Sequence, residues 1–151
     1  MVRRKLKVSL PQGWQPSPQS QAIGRPAFVR VTSQSPGLLQ IHSQIFYRRG
    51  PVPNPTAQDL VELATHAAQA EGVAISETAS GPCQLGLFGT AIGPCPGHAR
   101  AQVWAVSNGQ DIFVLSHSSV QPPESAEVAD SQSVIDTLSV TASERPWWQF
   151  W

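Results

Sequence analysis

The chain has few charged residues and no long apolar run. Charged residues make up 13% of its 151 residues, and ten basic against ten acidic side chains give a formal net charge of +0. A neutral chain lacks the positive field that attracts nucleic acid, so we expect no nucleic-acid partner. No apolar segment approaches the roughly 18 residues of a transmembrane helix, and none precedes Pro11 as a signal peptide requires. We therefore expect a cytoplasmic protein without a membrane span.

Cysteine is equally scarce, and the common catalytic motifs are missing. The two cysteines, Cys83 and Cys95, are expected to remain free thiols in a reducing cytoplasm, with a disulfide between them as the alternative. With His98 they form a candidate metal set, although the paired spacing typical of zinc ligands is absent. The sequence contains no G-x-S-x-G, H-E-x-x-H or P-loop motif. It therefore favours a protein with no cofactor, no metal and no catalytic residues.

Two histidines in predicted strands are the remaining candidates for chemistry. His42 and His117 could meet across one sheet, but no activated nucleophile accompanies them. Ser116 adjoins His117, yet neighbouring residues of a strand point to opposite faces of a sheet. We therefore predict no catalytic triad around either histidine.

The chain does contain enough apolar sequence for one folded domain, since 40% of its residues are hydrophobic. Thr56 followed by Asp59 predicts a helix that begins with a capping box and ends at Gly72, and a last helix follows Pro122. Residues 15–26 predict a surface loop. Predicted strands cover residues 5–10, 27–32, 38–47, 73–78, 85–91, 100–106 and 111–116. This order predicts an α+β fold, a single domain in which two or more helices pack against an antiparallel sheet.

The clearest local signal is Asn108-Gly109, which lies between two β-rich runs. Both central residues of a two-residue hairpin turn need positive φ, and asparagine and glycine adopt it most readily. We therefore predict a two-residue turn at Asn108-Gly109 that joins strands over residues 101–106 and 111–117.

Several of these patterns occur together in one known fold. They are an opening strand and turn (Leu10–Trp14), a Gly-Thr-Ala strand (Phe88–Ala91), the hairpin (102–118), a proline-containing loop (Gln121–Glu124) and a closing helix (Val134–Val140). In this combination, which covers most of the chain, the sequence resembles the Mog1/PsbP/DcrB-like fold family. The resemblance implies a small non-enzymatic adaptor, such as a nuclear-import accessory protein, a photosystem-associated subunit or a bacterial secretion-effector chaperone. It carries over no functional residues.

The aromatic segment near the end of the chain is the strongest candidate contact surface. Trp147, Trp148, Phe150 and Trp151 lie together there and include three of the five tryptophans. Because burial of one aromatic ring stabilises by about 2–3 kcal/mol, four such rings favour a contact over exposure to water. Three contacts are open. The rings pack on the chain's own domain, they bind a partner, which includes a dimer with exchanged tails, or they lie in a membrane interface. We predict a domain over residues 1–140 and a partner-binding tail over residues 141–151.

These observations lead to a functional hypothesis by exclusion and resemblance. We expect a non-catalytic cytoplasmic protein-binding domain, such as a secretion-effector accessory chaperone or a toxin immunity protein. Its partner is then an effector, a toxin or a second copy of the chain. The alternative is a small hydrolase or metal-dependent enzyme that uses the loop containing Cys83, Cys95 and His98.

Overall fold

The computed structural model describes residues 2–144, which form nine strands and three helices. The helices are α1 Ser20–Ile23, α2 Ala57–Ala70 and α3 Ser125–Asp136. The strands are β1 Val2–Lys7, β2 Trp14–Pro16, β3 Ala27–Arg30, β4 Leu38–Ile45, β5 Glu77–Pro82, β6 Leu87–Cys95, β7 His98–Ser107, β8 Ile112–Ser119 and β9 Ser139–Glu144.

Seven of the strands form one antiparallel sheet in the order β2-β3-β4-β8-β7-β6-β5. Strands β1 and β9 pair antiparallel as a second, two-stranded sheet. The predicted α+β fold with a single domain is confirmed. The β9 strand includes residues 141–144, so the paired structure extends beyond residue 140, where we predicted the domain to end.

The two faces of the large sheet carry different cores, because successive residues of a strand point to opposite sides. On one face, large side chains such as Trp104 and Phe113 form a cluster with residues of α3 and β1. On the other face, small side chains such as Ala91 and Ala105 form a cluster with residues of α2. Because the side chains of this second cluster are small, α2 approaches the strands closely.

Helix α2 follows the predicted pattern. The Thr56 hydroxyl accepts a hydrogen bond from the Asp59 backbone N–H at 3.1 Å, and the Asp59 carboxylate accepts one from the Thr56 N–H at 2.9 Å. This capping box satisfies two backbone donors at the start of the helix. Gly72 has a φ of +84°, which ends the helix two residues beyond Ala70.

The close approach of α2 depends on glycines in β6. A Cβ atom at Gly89 would lie 2.7 Å from the Val61 Cα and closer still to the Val61 backbone nitrogen. A Cβ at Gly93 would clash with the Ala74 carbonyl group in the segment that follows the helix. Both positions therefore require a residue without a side chain.

The hairpin between β7 and β8 is confirmed, but its predicted two-residue turn is wrong. Ser107 pairs with Ile112, so four residues lie between the last paired positions. Only Gly109, with a φ of +95°, has positive φ within this turn. The Asn108 side chain instead accepts hydrogen bonds from the backbone N–H groups of Gln110 and Asp111, and this local bonding opens the turn to four residues.

Residues 15–26, which we predicted to be a loop, contain the end of β2 and the short helix α1. Side-chain bonds to α3 hold the strands on either side of this segment. The Asp130 carboxylate accepts hydrogen bonds from Trp14 Nε1 at 2.9 Å and from Arg30 Nε at 3.1 Å. These long-range contacts connect β2 and β3 to α3, and no local pattern of the sequence reveals them.

We expect Gly89→Ala to lower the free energy of unfolding by about 2–3 kcal/mol, since the new methyl group must push α2 away from β6. Gly81→Ala is the matched control on β5. A Cβ there would meet only the ring of Phe88, at 3.3 Å, so we expect a change below about 1 kcal/mol. Urea unfolding of both variants measures the difference, and equal stabilities would contradict the close-packing argument.

Candidate functional site

Helix α2 covers only half of its face of the large sheet. It packs against β5, β6 and β7, and the same face over β4 and β8 is left without a covering helix in the part of the chain that the structure describes. A cleft runs along this open half. The side of α2 that carries Leu63 and Ala67 lines one end of it, and segment 17–19 before α1 lines the other end. We call this feature the sheet cleft.

The sheet cleft consists of three adjoining cavities of about 500, 230 and 420 Å³. The first two share Gln40, His98 and Ser118. The second and third share His42, Glu71 and Val103. Because each cavity shares lining residues with the next, the three lie side by side along β4 and β8.

A hydrogen-bonded chain of three side chains lies at the middle of the sheet cleft. His42 Nε2 lies 2.5 Å from the Ser116 hydroxyl oxygen, and His42 Nδ1 contacts an Arg25 guanidinium nitrogen. A guanidinium only donates hydrogen bonds, so Nδ1 must accept and the ring proton must lie on Nε2. His42 therefore donates to Ser116 and does not take its proton.

Burial lowers the pKa of the His42 imidazole, and the nearby Arg25 charge lowers it further, against the opposing effect of Glu71. Both dominant causes disfavour the charged imidazolium. The neutral ring with its proton on Nε2 is thus the form that agrees with both the electrostatics and the hydrogen bonds.

The lining of the sheet cleft becomes less polar along its length. Three of the four histidines of the chain, His42, His66 and His98, line it. The cavity beside α2 is mainly apolar, with Leu63 and Ala67 on the helix side. Within residues 2–144, no three His, Cys, Asp or Glu side chains come together as metal ligands. The arrangement suits binding of a mixed polar and apolar surface.

The predicted set of Cys83, Cys95 and His98 is not assembled. Within the glycine-rich segment 81–97 we predicted a strand over residues 85–91, and the structure has the longer strand β6 over residues 87–95. Cys83 precedes this strand and Cys95 is its last residue, and nine strand residues extend about 30 Å. Both thiols are free, and burial raises the pKa of the Cys83 thiol. Only Cys95 and His98 are neighbours, paired across the Pro96-Gly97 turn.

His42 and His117, which could have met across one sheet, lie on opposite faces of it. His42 contacts Ser116 on the cleft side of the sheet, whereas His117 points to the opposite face and binds Glu127 of α3. The alternation of β8 side chains separates Ser116 from His117, as we predicted from the strand periodicity.

His117 and Glu127 form a buried pair between the sheet and α3. The His117 Nε2 and Glu127 Oε2 atoms are 2.6 Å apart, and the side chains are 0% and 1% exposed. The Gly37 backbone N–H also donates to Glu127 Oε2, at 3.0 Å. Burial by itself would raise the pKa of the Glu127 carboxyl, but hydrogen bonds from His117, Ser33 and Gly37 outweigh it and hold the pKa below its usual value.

We expect Glu127→Gln to lower the free energy of unfolding by about 3 kcal/mol near neutral pH, because a buried charged hydrogen bond is lost. The pKa of Glu127 is lower in the folded state, so its contribution is present above about pH 4.3 and is lost as the pH falls through the folded-state pKa. Chemical unfolding of the protein and the variant over a pH series measures this difference. The difference in the free energy of unfolding between the protein and the variant should narrow below about pH 4.

Glu124→Gln provides the control for this measurement. Glu124 precedes α3 and pairs with Arg30 at 3.0 Å, but its side chain is 47% exposed. Exposed ion pairs contribute less than about 1 kcal/mol, so we expect little change at any pH. Equal losses in the two variants would show that the buried pair has no special part in stability.

The aromatic residues Trp147, Trp148, Phe150 and Trp151 lie outside the described residues. Their part in partner binding stays a prediction.

The sheet cleft was not predicted, although the sequence carries a signal for it. Gln40 and His42 alternate with the apolar Leu39 and Ile41 along β4, which marks one polar face of a central strand.

Comparisons with known proteins give a distant structural relationship. No family model and no curated protein matches the chain. The solved structure of LpqN, a protein involved in cell envelope biogenesis of Mycobacterium tuberculosis, matches 94% of this chain and 85% of its own, with a TM-score of 0.55 and 15% identity. The resemblance to the Mog1/PsbP/DcrB-like family stays a prediction. Among residues 2–144, no helix has the length and apolar character to cross a membrane.

The structural match to LpqN shows that the two chains share an α+β fold.

Proposed function

We propose that the protein is a non-catalytic domain that holds a segment of another protein in the sheet cleft. The observation that carries this proposal is the open half of the large sheet, with α2 at one end and segment 17–19 at the other. A secretion-effector accessory chaperone and a toxin immunity protein both need one such shape-specific surface. A second copy of the chain is the other partner that we propose.

The shape of the sheet cleft favours a polypeptide as its occupant. Leu38 lines one end and Ser43 the other, both within β4. Six strand residues span about 20 Å, which is the length of an extended peptide of similar size. Small-molecule sites instead enclose most of their ligand in one pocket. A cleft that runs along a strand is suited to an extended chain.

The arrangement at His42 supports a non-catalytic role. A hydrolase that used the Ser116–His42 contact would need an unprotonated Nε2 to accept the serine proton, with an acidic group on Nδ1. Arg25 occupies the Nδ1 position instead. The enzyme alternative based on Cys83, Cys95 and His98 also lacks support, because β6 separates the two cysteines.

Cross-linking at two adjacent positions of α2 tests the binding site. Ala70 lines the sheet cleft, whereas Gln69 is also exposed but lies outside the lining. With a photoreactive amino acid at each position, in cells of the source organism, we expect a discrete protein adduct from position 70 and none from position 69. An adduct of twice the chain's mass identifies a self-dimer. Equal labelling at both positions, or none, would contradict the proposal.

The same experiment tests where the protein acts. We propose a cytoplasmic location and expect the adduct in the cytosolic fraction after cell lysis. Recovery with the cell envelope would contradict this part of the proposal. It would instead favour a role related to the one stated for LpqN.

A fluorophosphonate probe, which labels activated serine hydroxyls, tests the absence of catalysis. We expect no covalent mass increase on the intact chain, because the Ser116 hydroxyl has no base to activate it. A serine hydrolase in the same reaction is the positive control. Labelling that disappears in Ser116→Ala would overturn the non-catalytic assignment.

A further inference from the structure

The outer edge of β4 is only partly paired. Strand β3 pairs with β4 at Leu39 and Gln40, and the Ile41 N–H donates to the Pro26 carbonyl at 3.0 Å. Beyond this point, no strand of the described chain pairs with the outer side of segment 43–45, although β8 pairs with its inner side. The register also shifts between Ile41 and Ser43. We call segment 43–45 the open edge.

The open edge borders the apolar end of the sheet cleft. Ser43 and Val114 line that end and pair with each other across the strands. Ile45 is two residues from Ser43 and therefore points to the same face. Its side chain is 58% exposed. A strand added to the open edge would thus lie beside an apolar side chain that now contacts water.

The opposite edge of the large sheet lacks these features. Strand β5 forms that edge and begins with Glu77, ends with Gly81-Pro82, and has no large apolar side chain. A charged residue, a glycine and a proline are typical protection against strand addition. The open edge has none of these three residue types, which makes it the better acceptor of a partner strand.

Two positive charges lie beyond the open edge, after Phe46 and Tyr47. Arg48 and Arg49 are exposed, and no acidic side chain of the described residues forms an ion pair with either. An antiparallel partner strand would begin near these arginines. Charge complementarity therefore favours acidic residues at the amino end of that strand.

We propose that the partner segment adds to the open edge as an antiparallel strand, with acidic residues against Arg48 and Arg49 and apolar residues towards Ile45. This inference rests on the proposed function and specifies its mode of binding. Main-chain hydrogen bonds along the edge provide affinity, and the apolar cleft with its flanking charges provides selectivity.

The probe is a nine-residue peptide that alternates valine and threonine after two amino-terminal glutamates. Titrated into the intact, ¹⁵N-labelled chain, it should shift the backbone amide signals of residues 43–45, Arg48 and Arg49. A peptide that begins with two lysines should bind at least about threefold more weakly. A version with proline at alternate positions cannot pair along a strand, and we expect no shifts from it.

Matched variants distinguish peptide binding at the open edge from non-specific binding elsewhere on the protein. Ile45→Lys should weaken binding of the acidic peptide at least about fivefold, whereas Val31→Lys, at a site 52% exposed after β3, should not change it. Arg48→Glu with Arg49→Glu should reverse the preference between the two peptides, and Lys5→Glu with Lys7→Glu on β1 should leave it unchanged. Unaltered amide spectra away from each substitution verify the fold.

Three results would overturn the inference: shifts at residues 77–82 in place of 43–45, equal affinity for both peptides, or no shifts at millimolar peptide. If an adduct forms at position 70 but the peptides do not bind, the protein-binding role stands and the inference of strand addition is wrong. If the peptides bind but no adduct forms at position 70, the edge accepts strands and the proposed function is wrong.

Discussion

The contact between α2 and the glycines of β6 determines where the rest of the molecule is open. Gly89 lets the helix backbone approach β6 more closely than any side chain would allow, and Gly93 does the same for the segment that follows the helix. The helix is thereby held over β5, β6 and β7. A single helix about 10 Å wide cannot also cover β4 and β8, so the sheet cleft is a direct consequence of this packing.

Strand β8 serves both faces of the sheet with alternate residues. Leu115 and His117 point to α3, where the apolar cluster and the Glu127 carboxylate receive them. Ser116 and Ser118 point to the sheet cleft. The α3 layer packs against the strand from behind, and the serines on its other face provide polar groups without bulk. One strand thus combines a stable core with an accessible binding surface.

The sheet cleft and the open edge form one continuous surface with graded chemistry. Polar residues around His42 occupy its middle, apolar side chains of α2 line one end, and Arg48 and Arg49 follow the edge. The Arg25–His42–Ser116 hydrogen bonds orient polar groups and do not activate them. In the proposed function, this surface recognises the backbone, an apolar side chain and the charge of one partner segment.

Local patterns were sufficient to predict the fold class and most elements. The alternation in β4 and β8 and the Thr56–Asp59 capping box act over a few residues, so each is visible in the sequence. The turn at Asn108 was mispredicted because side-chain bonds to Gln110 and Asp111 outweigh the intrinsic preference of Asn-Gly. Only the polar face of β4 and the strand between Cys83 and Cys95 left signals in the sequence, whereas the extent of the sheet cleft and the His117–Glu127 pair could not be predicted. They depend on strand order and on which face a helix covers, and these arise from contacts between residues far apart in the chain.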